Sequence, residues 1–238
     1  MIGVVIPAHN EENHIHQCVI SIIEAANHPG LNGMPVRLVV VLDACTDATE
    51  GLAASAGAMV LNVHHKNVGK ARGAGAELLL NLGVGWLAFT DADTIVPPDW
   101  LFRQIEANAD AVCGIVEVDS WRGYGDRVRE HYLNLYQFKD EHRHVHGANL
   151  GVSAQAYRRA GGFQPLPSHE DVRLVADLES TGARIAWTSS NPVITSARTD
   201  YKCREGFGEY LTNLAISLCS NPSALESSHP VNTQWGEP

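Results

Sequence analysis

The sequence predicts an α/β protein: a mostly parallel central sheet flanked by helices. Three features carry that expectation. Short uninterrupted apolar runs recur between residues 2 and 90, segments of helical period separate them, and the residues capable of chemistry gather just after each run. Apolar strands without polar alternation, each followed by a helix, are what a sheet covered on both faces requires.

The first run is "IGVVIP" (2–7), and Ile15, Val19, Ile22, Ile23 and Ala26 then recur at helical spacing, with Asn10 as the expected N-cap. "VRLVVVLD" ends at Asp43, and Asp47 with Glu50 three residues on reads as a capping box opening the helix "ATEGLAASAGA". "AMVLNV" leads through a Gly-rich turn to a helix carrying Ala71, Ala74, Leu78 and Leu82 on one face and closed by Gly83. "VGWLAFT" is the fourth run. Beyond Pro97 and Pro98 the pattern is less regular. "DWLFRQIEANA" predicts a helix, "AVCGIVEV" a strand, and "DRVREHYLNLYQF" a longer helix with Val128, Tyr132 and Leu135 facing inward. "GANLGVSAQAYRRAGGF" reads as a loop, "SHEDVRLVADLESTG" as a helix and "ARIAWTSS" as a strand, which together make one domain over 1–219. The polar, Pro/Ser-rich stretch 220–238 reads as a flexible tail.

Composition narrows the function classes. A chain of 238 residues that is 45% hydrophobic can bury a full core. Seventeen basic against 27 acidic residues give a net charge of -10, which opposes binding to nucleic acid. The five cysteines (Cys18, Cys45, Cys113, Cys203, Cys219) are odd in number, widely spread and free of any CxxC pair. They suggest neither a disulfide framework nor a zinc site, and the expected setting is reducing and cytoplasmic. No window holds the ~18 consecutive apolar residues of a membrane span, and the N-terminal run reaches Glu11 without a basic leader. A soluble protein is expected, with a peripheral membrane contact left open.

In an open parallel sheet, ligands bind beyond the carboxyl ends of the strands. "PAHNEE", Asp43, "KNVGKARGAG" and the pair Asp91 and Asp93 all fall at such ends and would line one cleft. On a strand end the two acids of D-x-D point the same way, which is costly unless a cation accompanies them. Oxygen ligands without nearby cysteine favour Mg2+ or Mn2+.

These residues resemble a known family. "VVIPAHNEE", "VVLDACTDAT", "NVGKARGAGA", "TDAD", "HGANLGVSAQAYRRAGGF" and "HED" occur in the order and approximate spacing of the family 2 glycosyltransferases, inverting enzymes of GT-A fold, from residue 1 to about 215. The resemblance implies a Rossmann-like nucleotide-binding half over 1–96 and an acceptor half over 97–219. It implies transfer of a sugar from a nucleoside-diphosphate sugar, UDP- or GDP-linked, to an acceptor hydroxyl. Pro7, Ala8, Asn10 and Glu11 match the segment holding the nucleoside, and Asp43 the carboxylate that meets the base. Lys70 and Arg72 match a basic stretch by the diphosphate. Asp91 corresponds to the residue at ribose or metal-bound water, Asp93 to the direct ligand of the divalent metal, and Arg198 to a phosphate contact. Gly147, Ala148 and Asn149 match the loop under the donor sugar, with Glu170 beside it, and Asp171 matches the catalytic base. The family's frequent D-D-G-S reads Leu42-Asp43-Ala44-Cys45 here, so the preceding acid is missing and the choice of nucleotide stays open.

Plainer readings stand beside these. Asp43, Asp91, Glu170 and Asp171 are all placed where they could serve only as caps, and Asp47 is taken as one. Gly69, Gly73 and Gly75 follow the third run rather than the first, which argues against a dinucleotide motif. His142, His144 and His146 have period two. His146 is expected to line the acceptor side or a pocket, and His142 and His144 to be exposed. Trp121, Tyr124, Tyr132, Arg127 and Arg129 are expected to form the acceptor wall. His169 is expected as a pocket wall. A sugar-phosphate nucleotidyltransferase and a non-catalytic nucleotide-sugar binder are the alternative functions; the first lacks its Gly-rich basic loop after the first strand.

Overall fold

The computed structural model describes residues 1–199 and 206–220; Cys203 and the tail beyond Ser220 lie outside the described residues. Among the described residues, eight strands form one mixed sheet. They are β1 (Ile2–Ala8), β2 (Val36–Asp43), β3 (Met59–Val63), β4 (Trp86–Phe89), β5 (Thr94–Ile95), β6 (Ala111–Val118), β7 (Leu150–Ser153) and β8 (Ile185–Thr195). Their spatial order is β3-β2-β1-β4-β7-β6-β8-β5. The four strands of the first half are parallel, and β6 pairs parallel with β8. Strand β7 runs antiparallel to both β4 and β6, with Leu150 opposite Phe89. Because β7 is reversed, its N-terminal end lies at the edge where β1, β2 and β4 have their carboxyl ends. The turn before β7 is thereby brought to the D-x-D turn after β4.

Helices α1 (Ile15–Ala26), α2 (Thr49–Ser55) and α4 (Trp100–Glu106) cover one face, packing on Val4, Ile6, Val40, Leu42 and Ala88. Helices α3 (Val68–Asn81), α6 (Ala154–Ala160) and α7 (Glu170–Ser180) cover the other, on Val5, Val39, Val41, Leu87 and Phe89. Alternate residues of one strand thus serve opposite layers, which explains the unbroken apolar runs. Each Val or Ile buried this way contributes about 1.5–3 kcal/mol. A third cluster joins α5 (Asp126–Leu135) to α8 (Phe207–Ser220) through Val128, Tyr132, Tyr136, Leu211 and Leu214.

Several local expectations are corrected. Helix α1 begins at Ile15 and Asn10 is not its cap; Asn10 takes a left-handed φ of 53°, and its side chain accepts a hydrogen bond from the Thr46 amide at 2.7 Å. Asp47 is not the cap of α2 either: that position is Ala48, and Asp47, one residue earlier, accepts from the Thr49 amide at 3.1 Å while Glu50 accepts from Asn62 Nδ2 at 3.0 Å, so no box closes. The buried face of α3 runs through Ala71, Arg72, Gly75, Ala76 and Leu79, while Leu82 is exposed. The segment read as a loop from Gly147 contains β7 and α6, the latter capped by Ser153. Ala44, where the family pattern has glycine, sits at φ 56°. That conformation costs an L-residue roughly 1–2 kcal/mol, part of which the greater unfolded-chain freedom of glycine offsets. Ala44→Gly is therefore expected to stabilise the fold by about 0.5–1 kcal/mol, read as a higher urea midpoint at unchanged slope.

Candidate active site

The loops after β1 and β2 are stitched to each other. Glu11 N donates to Thr49 Oγ1 (2.8 Å), Ala48 N to Glu12 Oε2 (3.1 Å) and Cys45 Sγ to Ala8 O (3.4 Å). Pro7 and Ala8 end β1 opposite Val41 and Leu42. Asp43 Oδ1 accepts from the amides of His65 and Lys66 (2.6 and 2.8 Å), and Oδ2 from Asn67 (2.9 Å). Burial opposes its charge, but the three amides outweigh it and hold the carboxyl below the usual range. Three of about four acceptor positions on this carboxylate are thus taken by the β3–α3 loop, so it braces that loop whatever it offers a base.

The D-x-D acids lie in the turn after β4 rather than on the strand, and they do not point the same way. Asp91 faces α3, where its Oδ1 accepts from Arg72 Nη2 at 2.5 Å. Asp93 faces Arg198, whose Nη2 is 3.3 Å from Asp93 Oδ2. The same guanidinium forks onto Glu11, at 2.7 Å to Oε2 and 2.6 Å to Oε1. His14 Nδ1 lies 3.3 Å from Glu11 Oε2. Burial comes first, and the neighbouring Asp91 and Glu11 add to it; together they push the Asp93 carboxyl up to about 6 against the pull of Arg198. Glu11, Asp91 and Asp93 thus lie near enough for Asp91 and Glu11 to oppose the charge of Asp93, with Arg198 and Arg72 set against them.

Arg72 is 4% exposed, although it stands in the first turns of a helix. Its Nη1 donates to Glu170 and its Nη2 to Asp91. Burial works against its charge, but Asp91, Glu170 and Asp171 together raise its affinity for the proton. The guanidinium also packs beneath Gly147, where a Cβ would collide with it. Gly69 in turn lets α3 approach α7: a Cβ there would stand 2.6 Å from Gln164 O and 3.0 Å from Glu170 Cβ. Both terminal nitrogens of Arg72 are thus engaged by carboxylates. Glu170, 4% exposed, spends its carboxylate on Arg72 rather than facing a sugar. Lys70 is exposed and makes no ion pair among the described residues.

Asp171 Oδ2 accepts from the Gly147 amide at 2.7 Å and Oδ1 from Val172 N at 2.8 Å. His169, just before this pair, holds a left-handed φ of 58° and turns the chain into α7. Ala148 is buried, and Asn149 is 1% exposed. The Asn149 amide donates to Ile115 O (2.8 Å) and Asn191 O (2.6 Å), and its Oδ1 accepts from Trp100 Nε1 (2.9 Å). Its side chain ties β6, β8 and α4 together and has no hydrogen left to donate to a sugar.

His142 and His144 depart furthest from expectation, whereas His146 does line a small pocket, with Leu135, Tyr136 and Phe207. His142 is 0% and His144 3% exposed, so neither is a surface residue. His144 stacks on Tyr136 with ring centres 4.0 Å apart and planes 8° from parallel, and His142 stacks behind it at 5.4 Å. Tyr136 Oη lies 2.8 Å from His146 Nε2 and accepts from Val116 N at 3.0 Å. Burial first, and then the neighbouring imidazoles, lower His144 to about 4 and His146 to about 3, so all three rings are neutral at pH 7. Tyr132 is 2% exposed and belongs to this stack, not to an acceptor wall; Trp121 packs on it at 5.1 Å. Sequence spacing could not show this, because the covering residues Phe207 and Tyr210 come from α8.

The model of the glycosyl transferase family 2 matches residues 3–161. A search of curated proteins finds no match. Among solved structures, an S. aureus TarS fragment in complex with UDP-GlcNAc superposes with a TM-score of 0.64 at 15% identity, over 91% of this chain and 65% of that one. The chain therefore spans just under two thirds of the length of that fragment. The mannosyltransferase PcManGT of Pyrobaculum calidifontis, in complex with GDP-Man and Mn2+, gives 0.61 at 16% identity, over 96% and 76%. M. tuberculosis glucosyl-3-phosphoglycerate synthase gives 0.54 at 20%, over 92% and 78%. These likenesses show the GT-A fold. No helix among the described residues is long and apolar enough to cross a membrane.

Proposed function

Since the chain belongs to glycosyl transferase family 2 and is an enzyme of that kind, we propose that it moves a sugar, with inversion, from a UDP- or GDP-linked donor to an acceptor hydroxyl. The observation that carries the reading is the pairing of two carboxylate centres at one sheet edge: the crowded Glu11, Asp91 and Asp93, and Asp171 across Arg72 from them. The first centre suits a divalent cation and the second a base.

The donor set fits a hard ion. Asp93 offers carboxylate oxygens where burial, Asp91 and Glu11 all disfavour its charge, which a dication would relieve. Among the described residues no group of three or more His, Cys, Asp or Glu side chains forms a metal cage. Mg2+ and Mn2+ need none, since they commonly take one or two carboxylates and complete their shell with water and phosphate oxygens. Asp93, with Asp91 through water, would hold the ion, which supplies Lewis-acid stabilisation to the departing diphosphate.

This chain's own residues do the rest. Asp171 takes the proton of the attacking hydroxyl, its carboxylate held in place by the Gly147 amide. Pro7, Ala8, Asn10 and Asp43 border the nucleoside, and Arg198, held by Glu11 and Asp93, stands beside the phosphates. The Gly147–Ala148 backbone forms the floor under the donor sugar. The nucleotide, the sugar and the single-domain organisation are part of the same proposal. It is tested by incubating the protein with UDP- and GDP-sugars and Mn2+ and following free sugar. Slow release is expected, lost with a chelator and falling by at least ~100-fold in Asp93→Asn. Release that ignores both, or no release from any of these donors, overturns it.

A further inference from the structure

Among the described residues, Arg72 is the one buried cation that touches both carboxylate centres. Its Nη2 holds Asp91, of the D-x-D turn, at 2.5 Å, while its Nη1 holds Glu170, the neighbour of the base. Gly147 lies against the same guanidinium, and the Gly147 amide donates to Asp171 at 2.7 Å. These contacts join three segments far apart in sequence: the D-x-D turn, the β7 approach and the start of α7. The residue is 4% exposed, and its guanidinium carbon lies 5.9 Å from the centre of the Phe163 ring. A planar fork can grip two carboxylates in fixed relative positions, which a lysine cannot.

From this geometry we infer that Arg72 is a positioning residue: with Glu170 it sets the distance between the donor-side acids and the Asp171 base, and it does not bind phosphate. The inference rests on the transferase reading above. Arg72 contacts neither reacting atom; it acts through Asp91 and through Gly147 and Asp171. Misplacement of a base by about 1 Å costs on the order of 100-fold in rate, so loss of the fork falls on turnover and spares nucleotide affinity.

The test measures donor hydrolysis and, separately, nucleoside-diphosphate binding by calorimetry with Mn2+ present. Arg72→Lys is expected to keep its affinity within ~threefold and lose ~10- to 100-fold in turnover. Arg72→Met strands Glu170 in the interior and can unfold the chain, so the pair is also removed together as Arg72→Met with Glu170→Leu. Replacing a buried ion pair by apolar groups is often neutral for stability. The double variant should melt near the parent temperature and bind nucleotide while its turnover stays low. A double variant that recovers both melting temperature and turnover shows a merely structural pair and overturns the inference, as does an Arg72→Lys loss that falls on affinity alone. Asp171→Asn is measured alongside. Turnover insensitive to Asp171 sinks the transferase reading itself, whereas turnover sensitive to Asp171 but not to Arg72 sinks only the positioning role.

Discussion

Asp171→Asn is expected to lower turnover of the nucleotide-sugar donor by ~100-fold or more while nucleotide affinity stays near that of the parent, the scale usual for loss of a general base. The substitution is nearly isosteric. One carboxylate oxygen now accepts from Gly147 N and the other from Val172 N, and an Asn side chain retains one of these acceptors. The fold and the cation side of the cleft are therefore little disturbed, and the change isolates the proton acceptor. Single-turnover sugar release and calorimetric binding, compared on one preparation, decide the matter. Near-parental turnover removes Asp171 from the role; a loss confined to affinity reassigns it to donor binding.

The second large effect is on stability against pH. His144 and His146 titrate near 4 and 3 in the folded chain, against about 6.5 when unfolded. Below 6.5 the unfolded chain binds protons that the folded one refuses, so this contribution is complete above 6.5 and is lost as pH falls toward 4. Asp93 works in the opposite sense. Its folded value of about 6 lies above the ordinary carboxylate value, so without a cation it disfavours the fold above about 6 and relaxes on acidification. Each unbalanced proton is worth about 1.4 kcal/mol per pH unit. Two imidazoles against one carboxyl leave a net loss of about 2 kcal/mol between pH 7 and pH 5 in the metal-free protein. Urea midpoints at the two pH values measure it. Replacing both imidazoles, as His144→Phe with His146→Gln, should flatten or invert the dependence; an unchanged slope would place its origin elsewhere.

How far the sequence could be read depended on the range over which each feature is decided. β1, β2 and β6 were legible because both their faces are buried locally by alternate residues, so apolar runs end where the strands end. β7 was not, since Leu150–Ser153 is four residues long and holds a glycine and a serine. The buried face of α3 was misjudged because Gly69, Arg72 and Gly75 do not read as apolar, yet close packing and a buried ion pair place them inward. The acids of the cleft could be listed from their strand-end positions, but their partners could not. Arg72 meets Glu170 across 98 positions and Arg198 meets Glu11 across 187, and nothing local to either arginine encodes the match. The histidines illustrate the same limit: their spacing is visible in the sequence, but the rings that meet them are Tyr136 just past α5, Trp187 of β8 and Phe207 of α8.

Strands β6 and β7 are direct neighbours, so the chain leaves the sheet after Val118 and returns at Leu150 one strand away. Everything between is a cassette whose two attachment points are pinned by the register of Cys113 on Leu150 and of Leu150 on Phe89. Its stretch from Ser120 to Leu135 can change in length without shifting the strands on either side, whereas its last residues cannot, since Gly147 holds Asp171 and Asn149 ties β6, β8 and α4 together. A change of chain length in that stretch therefore leaves the carboxyl ends of β1, β2 and β4 and the Gly147 hold on Asp171 where they are.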